Sequence, residues 1–386
     1  MDVKRLFFIV CLCLAALGSC TMLSEVMDEK KQYDWTIYRG SPSLNGFSER
    51  VLPESPQLMW SVSAQTRTVA SPIVYGGLVY TLDRKGRLRS VADGGDTTLV
   101  HNFGSAVEAS FLAHDSVLYV GRIDGYVSAF SIPQRRVLWE FETYGQISGS
   151  PNLIETDGRK VLLVGSYDNS MYTFEARTGK KQSQFETGYY INGAPAVWNR
   201  YMIFGGCDAW LRLVDTQSGL QTDSLQLDAY VPASPAILGD MAYVADYNGD
   251  VYEVKLSNGR FASHRKLVSA PAAEGDGQSG VVSMPTVTRD AVYLLTDERY
   301  IRCLDRKTGQ QRWKKMLRGE TGESSPLVCS DRVLVCTKDG HVSILACADG
   351  QELWHYEVGE QIISSPAVVG GRFYILTARG TLLCFE

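Results

Sequence analysis

Apolar residues in this chain come in short runs separated by turn pairs, and one stretch shows the unit cleanly. In Ser324 to Trp354, Ser325-Pro326 opens a first run and Ser330-Asp331 turns into Val333-Leu334-Val335-Cys336. Asp339-Gly340 then turns into Val342 to Leu345, and Asp349-Gly350 into a fourth run built on Trp354 and Tyr356. Short runs rich in Val, Leu and Cys, punctuated by Asp-Gly-type pairs, are strands joined by tight turns. The unit predicts a four-stranded antiparallel meander.

The opening pair recurs as Ser71-Pro72, Ser150-Pro151, Ala194-Pro195, Ser234-Pro235, Met284-Pro285, Ser325-Pro326 and Ser365-Pro366, with a proline-free copy at Ser110-Phe111. Successive spacings are 39, 40, 44, 40, 50, 41 and 40 residues. A period near 40 with four strands per repeat is the signature of propeller blades. The expected fold class is therefore all-β, an eight-bladed β-propeller of four-stranded antiparallel blades. Its last repeat stops at Leu382-Leu383-Cys384-Phe385, after a third strand, whereas Gln57 to Val62, with Trp60, is an orphan of the missing fourth kind. Pairing the two closes the ring and removes an open sheet edge. A ring closed in this way predicts a monomeric propeller.

Third-strand core positions are apolar in every repeat: Leu88, Val127, Met171, Leu211, Val251, Ile301, Val342 and Leu382. The fourth-strand aromatic is missing from blade 1 (Thr98-Leu99-Val100) and from the regions around Leu225 and Leu267. Where it is present, Trp139 with Phe141 and Trp354 with Tyr356 alternate with charged residues, which points these rings into the spaces between blades.

The chain has 386 residues, 45% of them hydrophobic and 21% charged, with a net charge of −5. Nothing basic suggests nucleic acid. Met1 to Ser19 reads as a signal segment, with Lys4-Arg5 before a 12-residue apolar core, Leu6 to Leu17, too short for a permanent span. Leu17-Gly18-Ser19-Cys20 resembles a bacterial lipobox, which implies that Cys20 carries acyl chains and holds the mature protein on a membrane. By the sorting rule for such lipoproteins, Thr21 in place of Asp implies the outer membrane. Residues 20–33 are polar and of mixed charge, a flexible tether. Residues 34–56 form an N-terminal lead-in segment, and 57–386 the propeller.

Trp35-x-x-x-Arg39-Gly40, then Gly46, followed by a Trp strand and by repeats carrying Ser-Pro, Asp-Gly, Thr-Gly and Trp, resembles the PQQ-like β-propeller repeat proteins. The resemblance covers Asp34 to Glu386. The order lipobox, tether and eight blades is similar to BamB-type lipoproteins, which implies a periplasm-facing subunit of the outer-membrane β-barrel assembly machinery without enzymatic activity. Other members are quinone-dependent dehydrogenases. Those carry a vicinal cysteine pair and acidic and amide residues that hold calcium, and this chain has no matching positions.

No catalytic constellation in the sequence stands against that. His101, His114, His264, His341 and His355 make no nucleophile–base pattern, and the once-per-blade Asp-Gly acids read as turn chemistry. No cofactor and no metal site is expected. Most of Cys207, Cys303, Cys329, Cys336, Cys347 and Cys384 read as small buried hydrophobes, and Cys329 and Cys336 are about 13 Å out of register for a disulfide, at roughly 3.3 Å per residue. The expected function is a non-enzymatic scaffold for an envelope protein partner or a small ligand, with the assembly role as the alternative. Its candidate binding surface is the channel mouth, where the segments leading into the first strands carry Glu108, Tyr144, Gln146, Tyr190, Asn192, Tyr230, Glu323 and Gln361. These residues either recognise a partner or plug the channel. The acidic, glycine-rich loop at 270–280 is expected on the same face.

Overall fold

A computed structural model describes residues 34–156, 158–268, 283–296 and 299–386. The signal segment, Cys20, the tether and the 270–280 loop lie outside the described residues. Eight antiparallel four-stranded sheets succeed one another along the chain. First strands of neighbouring blades touch one another round a central axis, and fourth strands lie outermost. This is the eight-bladed propeller that the spacing predicts.

Blade 8 takes its outer strand from the other end of the chain. Leu58–Ser63 pairs antiparallel with Thr381–Phe385, with Trp60 opposite Cys384. Gln57 and Glu386 exchange amide–carbonyl hydrogen bonds at 2.8 and 3.1 Å beside it. The orphan strand is accounted for.

The core is distributed between blades. Each apolar cluster joins neighbouring sheets, such as Ile73, Leu82 and Leu88 of blade 1 with Phe111, Leu118 and Phe130 of blade 2. All eight third-strand positions named above are buried. Burying a side chain of that size contributes about 1.5–3 kcal/mol, so each of these positions adds one such increment to the inter-blade adhesion. Outer-strand tryptophans seal the gaps from outside. The Trp139 indole N–H donates to the Ala176 carbonyl of the next blade at 3.0 Å, and Trp313 to Cys347 at 2.9 Å. Between blades 4 and 5, where the fourth-strand aromatic is lacking, Trp198 and Tyr201 stack at 5.5 Å and fill the gap together with Phe261.

The serines of the repeated Ser-Pro pair hold the inner ring. The amides of Ser71, Ala194, Met284, Ser325 and Ser365 donate to the hydroxyls of Ser110, Ser234, Ser325, Ser365 and Ser71 at 2.6–3.1 Å. Each bond runs from one blade to the next. The six propeller cysteines are unpaired. Cys329 lies opposite Arg332 and Cys336 opposite Val342, so the two thiols are out of register as expected. Burial pushes both thiols up to about 12, which makes them unreactive.

Candidate functional site: the channel and its mouth

Each first strand begins at its Ser-Pro pair on the mouth face and runs down the channel wall to its first turn. Innermost strands are sheet edges, with amides that need partners. The lead-in segment supplies them. Trp35 exchanges two bonds with Val74 of blade 1, at 2.7 and 2.9 Å. The carbonyls of Thr36, Pro42, Ser43, Asn45 and Gly46 then accept, in order, from Ala113, Val197, Ile237, Val287 and Val328 of blades 2, 4, 5, 6 and 7, at 2.8–2.9 Å. Blade 3 reaches the same Pro42 carbonyl through the Asn152 side-chain amide at 2.8 Å. Phe47–Ser48 ends the circuit as a fifth, parallel strand on blade 7. One segment thus circles the channel and touches seven blades in sequence order.

The residues of the Trp-Arg-Gly motif explain themselves here. Arg39, 1% exposed, has a left-handed backbone at φ 59°. Its guanidinium donates to the Pro285 carbonyl at 2.9 Å and to the Thr286 hydroxyl at 2.7 Å. It faces neutral oxygens, and burial pushes its pKa down to about 10. Gly46, at φ 70°, lies against this guanidinium so closely that a Cβ would overlap it, and a Cβ on Gly40 would come within 2.6 Å of the Trp35 indole. Both glycines let backbone pass where a side chain has no room.

Above this stopper the mouth holds a cavity of about 240 Å³. Tyr38 and Met284 line it together with the serine ring, and Glu108, Asn192 and Glu323 open onto it. Three of the eight candidate residues therefore meet at one cavity. Glu108 is paired with Arg84, and the Asn192 amide N–H donates to the Cys207 sulfur at 3.0 Å. Gln361 lines a separate pocket between blades 8 and 1, beside Arg67 and Arg379. Gln146 is exposed, and its backbone carbonyl accepts from Tyr167 at 2.9 Å.

The tyrosines form a rim and do not plug the channel. Tyr144 is 85% exposed, at φ 61°. Tyr190 stacks on Tyr167 with centroids 5.0 Å apart and packs against Tyr189 at 4.5 Å. Tyr230 stacks on Tyr247 at 4.3 Å, and burial, helped by Tyr247, raises its phenol to about 12. Tyr167 and Tyr247, which sequence reasoning missed, belong to second turns of blades 3 and 5. An aromatic just before the second-turn Asp168 or Asn248 was the available signal. Blades 3 to 5 thus carry an aromatic, mostly neutral arc on the mouth face.

The quinone cofactor that the fold suggests carries three carboxylates, and the charged residues opening on the cavity are the acids Glu108 and Glu323. Like charges at that range repel. Among the described residues no three His, Cys, Asp or Glu side chains are grouped to hold a metal ion. The residues present do not fit the quinone and its calcium, and no redox step is derived through them.

Comparison with known proteins agrees with the geometry. The family model described as "Outer membrane protein assembly factor BamB" matches residues 97–297 and 273–386. The chain is 23% identical over 306 residues to the assembly factor BamB of Shewanella oneidensis, covering 74% of this chain and 73% of that protein. Its fold superposes on BamB of Moraxella catarrhalis with a TM-score of 0.68 at 19% identity, covering 86% of this chain and 97% of that one. It superposes as well, at 0.73, on the quinohemoprotein alcohol dehydrogenase of Comamonas testosteroni, at 14% identity and covering 93% and 81% of the two chains. Likeness at that identity speaks for the fold alone. With the family model matched over most of its length, the chain belongs to the BamB family of outer membrane protein assembly factors.

Proposed function

We propose that this chain is a non-enzymatic subunit of the outer-membrane β-barrel assembly machinery, docking a protein partner on the mouth face of its propeller. Family membership favours the assembly role over a general scaffold. The observation that carries the docking surface is the aromatic arc of Tyr144, Tyr189 and Tyr190, all exposed, above a channel stoppered by the lead-in segment. Exposed aromatics supply contact area at low entropic cost, the usual make-up of interface anchors. A stoppered channel leaves the rim and the cavity above the stopper as the accessible parts of that face.

In this reading Cys20 is acylated and holds the propeller on the periplasmic side of the outer membrane, as one chain without cofactor. Isolation of the membrane-tethered protein with its neighbours tests the role: co-purification of barrel-assembly components supports it. Retention of a quinone with alcohol oxidation by the purified protein returns the chain to the dehydrogenases.

A further inference from the structure

Blades 2 and 3 part on the face opposite the mouth, leaving a groove of about 930 Å³. Its charge is lopsided. Five lining residues are cationic, Arg159, Lys160, Arg177, Lys180 and Lys181, against two acids, Asp115 and Glu175, in a chain whose net charge is −5. Several of these are already engaged. Lys160 pairs with Asp115. Glu175 accepts the Thr178 hydroxyl at 2.6 Å, and Lys181 donates to Gln184 at 2.9 Å while lying over the rings of Phe141 and Tyr172.

That leaves Arg159, Arg177 and Lys180, exposed and without a side-chain partner among the described residues. They all belong to blade 3, Arg159 opening its second strand and Arg177 and Lys180 in the turn between its third and fourth strands, so three cations without a side-chain partner among the described residues stand round one groove. Like charges so placed repel one another until an anion joins them. Arginine forks match phosphate oxygens in two-point geometry, and lysine adds a point charge. The wall beside them is apolar: Leu138 of blade 2 is 37% exposed into the groove, next to Val117. His114, whose pKa burial lowers against the pull of Asp115, adds a buried ring nitrogen that makes no hydrogen bond and lies 3.4 Å from Asp115.

We propose that this groove is a binding site for a phosphate-bearing lipid headgroup, the cations of Arg159, Arg177 and Lys180 taking the phosphate and Leu138 the adjoining carbons. Its position suits such a ligand. Asp34 accepts the Gly76 amide at 2.8 Å in the first turn of blade 1, so the lead-in segment begins on this same face. Membrane proximity rests on the proposed anchoring through Cys20, whereas the charge and the apolar wall do not. The mouth is not involved, so either site can fail without the other.

The test titrates the full-length protein with dihexanoyl phosphatidic acid, dihexanoyl phosphatidylcholine and inorganic phosphate, by calorimetry at low salt. The expected result is saturable binding of phosphatidic acid, weaker binding of the zwitterion by about tenfold or more, and a similar loss in an Arg159→Ala/Arg177→Ala/Lys180→Ala variant that keeps its circular dichroism and melting point. Leu138→Ser should weaken the lipid and leave inorganic phosphate unchanged. Because all three side chains are exposed, Arg159 at the start of a strand and the other two in a turn, loss of fold is not expected. Raising the salt concentration gives the same readout without substitution. Equal binding of the zwitterion, or an unchanged triple variant, overturns the site. Inorganic phosphate binding as tightly as the lipid overturns the lipid source. Displacement of phosphatidic acid by hexaglutamate at equal concentration assigns the groove to an acidic protein segment instead.

Discussion

The amide of Ser365 donates to the hydroxyl of Ser71 at 2.9 Å, joining residues 294 positions apart. This bond closes the serine ring where blade 8 meets blade 1. Ser71→Ala leaves a buried amide without its acceptor, which costs about 1–3 kcal/mol. Urea unfolding of the variant should show that loss, whereas Ser218→Ala, on an exposed turn, should unfold with the parent. Equal midpoints for Ser71→Ala and the parent would mean that the ring bond contributes nothing.

The repeated Ser-Pro pair was legible because in five of the eight copies the serine hydroxyl performs the same local task, and the proline keeps the register in seven. The orphan strand with Trp60 was legible for the same reason, as a part missing from the last copy. The path of the lead-in segment was not. Its contacts to blades 1, 2, 4, 5, 6 and 7 run through backbone carbonyls, and carbonyls leave no trace in side-chain pattern. Trp35, Arg39, Gly40 and Gly46 were noticed as a motif, but their reasons lie in contacts such as Arg39 with Thr286, 247 positions away. At the mouth, the loop residues Glu108, Asn192 and Glu323 were found by their place in the repeat. Tyr167 and Tyr247 were not legible, because a turn pair such as Asp168-Asn169 or Asn248-Gly249 signals backbone conformation and says nothing of the residue before it.

Gly46→Ala tests the stopper. A methyl group there meets the Arg39 guanidinium and forces a positive φ on alanine, and each of these strains costs of order 1–3 kcal/mol. The expected result is a lower melting point with hydrogen exchange accelerated at the inner-strand amides of Val287 and Val328, the neighbours of Asn45 and Gly46. Uniform exchange across all blades would place the damage elsewhere.

Removal of 57–62 tests closure. Thr381–Phe385 then becomes an exposed edge, which favours aggregation. Trp60 itself is only partly buried, with Tyr374 at 6.0 Å, so Trp60→Ala alone should cost about 2 kcal/mol. The deletion should cost several times more, read by thermal melting and light scattering. A monomeric deletion variant melting with the parent contradicts the pairing.

Stability should fall on mild acidification. His101 packs against Phe103 and Phe130 at 4.7 and 4.8 Å, and burial holds its imidazole below the usual 6.5, with Glu140 working in the opposite direction. Burial lowers His114 too. The unfolded chain therefore takes up protons first, so the contribution is complete above about pH 6.5 and is lost as pH falls below it. Asp83 and Asp208 are held below the ordinary 3.8, so their contributions fade only in stronger acid. Unfolding midpoints at pH 7.5 and 5.5 should differ in the parent and converge in a His101→Gln/His114→Gln variant. A parent insensitive to this range contradicts the assignment.

On the rim, stability and binding should separate. Changing Tyr144, Tyr190 and Tyr230 to Ala should weaken partner binding by about 2 kcal/mol or more. Tyr144→Ala alone should leave the melting point unchanged, while Tyr230→Ala gives up its stacking on Tyr247, worth about 0.5–1.5 kcal/mol. Unaltered binding by the triple variant would move the interface away from the mouth.

The most direct measurement places a photo-crosslinking residue at Tyr144 or Tyr190 in the full chain, in its own membranes, with Asp349 on the opposite face as reference. Adducts containing a component of the barrel assembly machinery are expected from Tyr144 and Tyr190 and none from Asp349. Such adducts from Asp349 alone, or from none of the three, would contradict docking through the mouth.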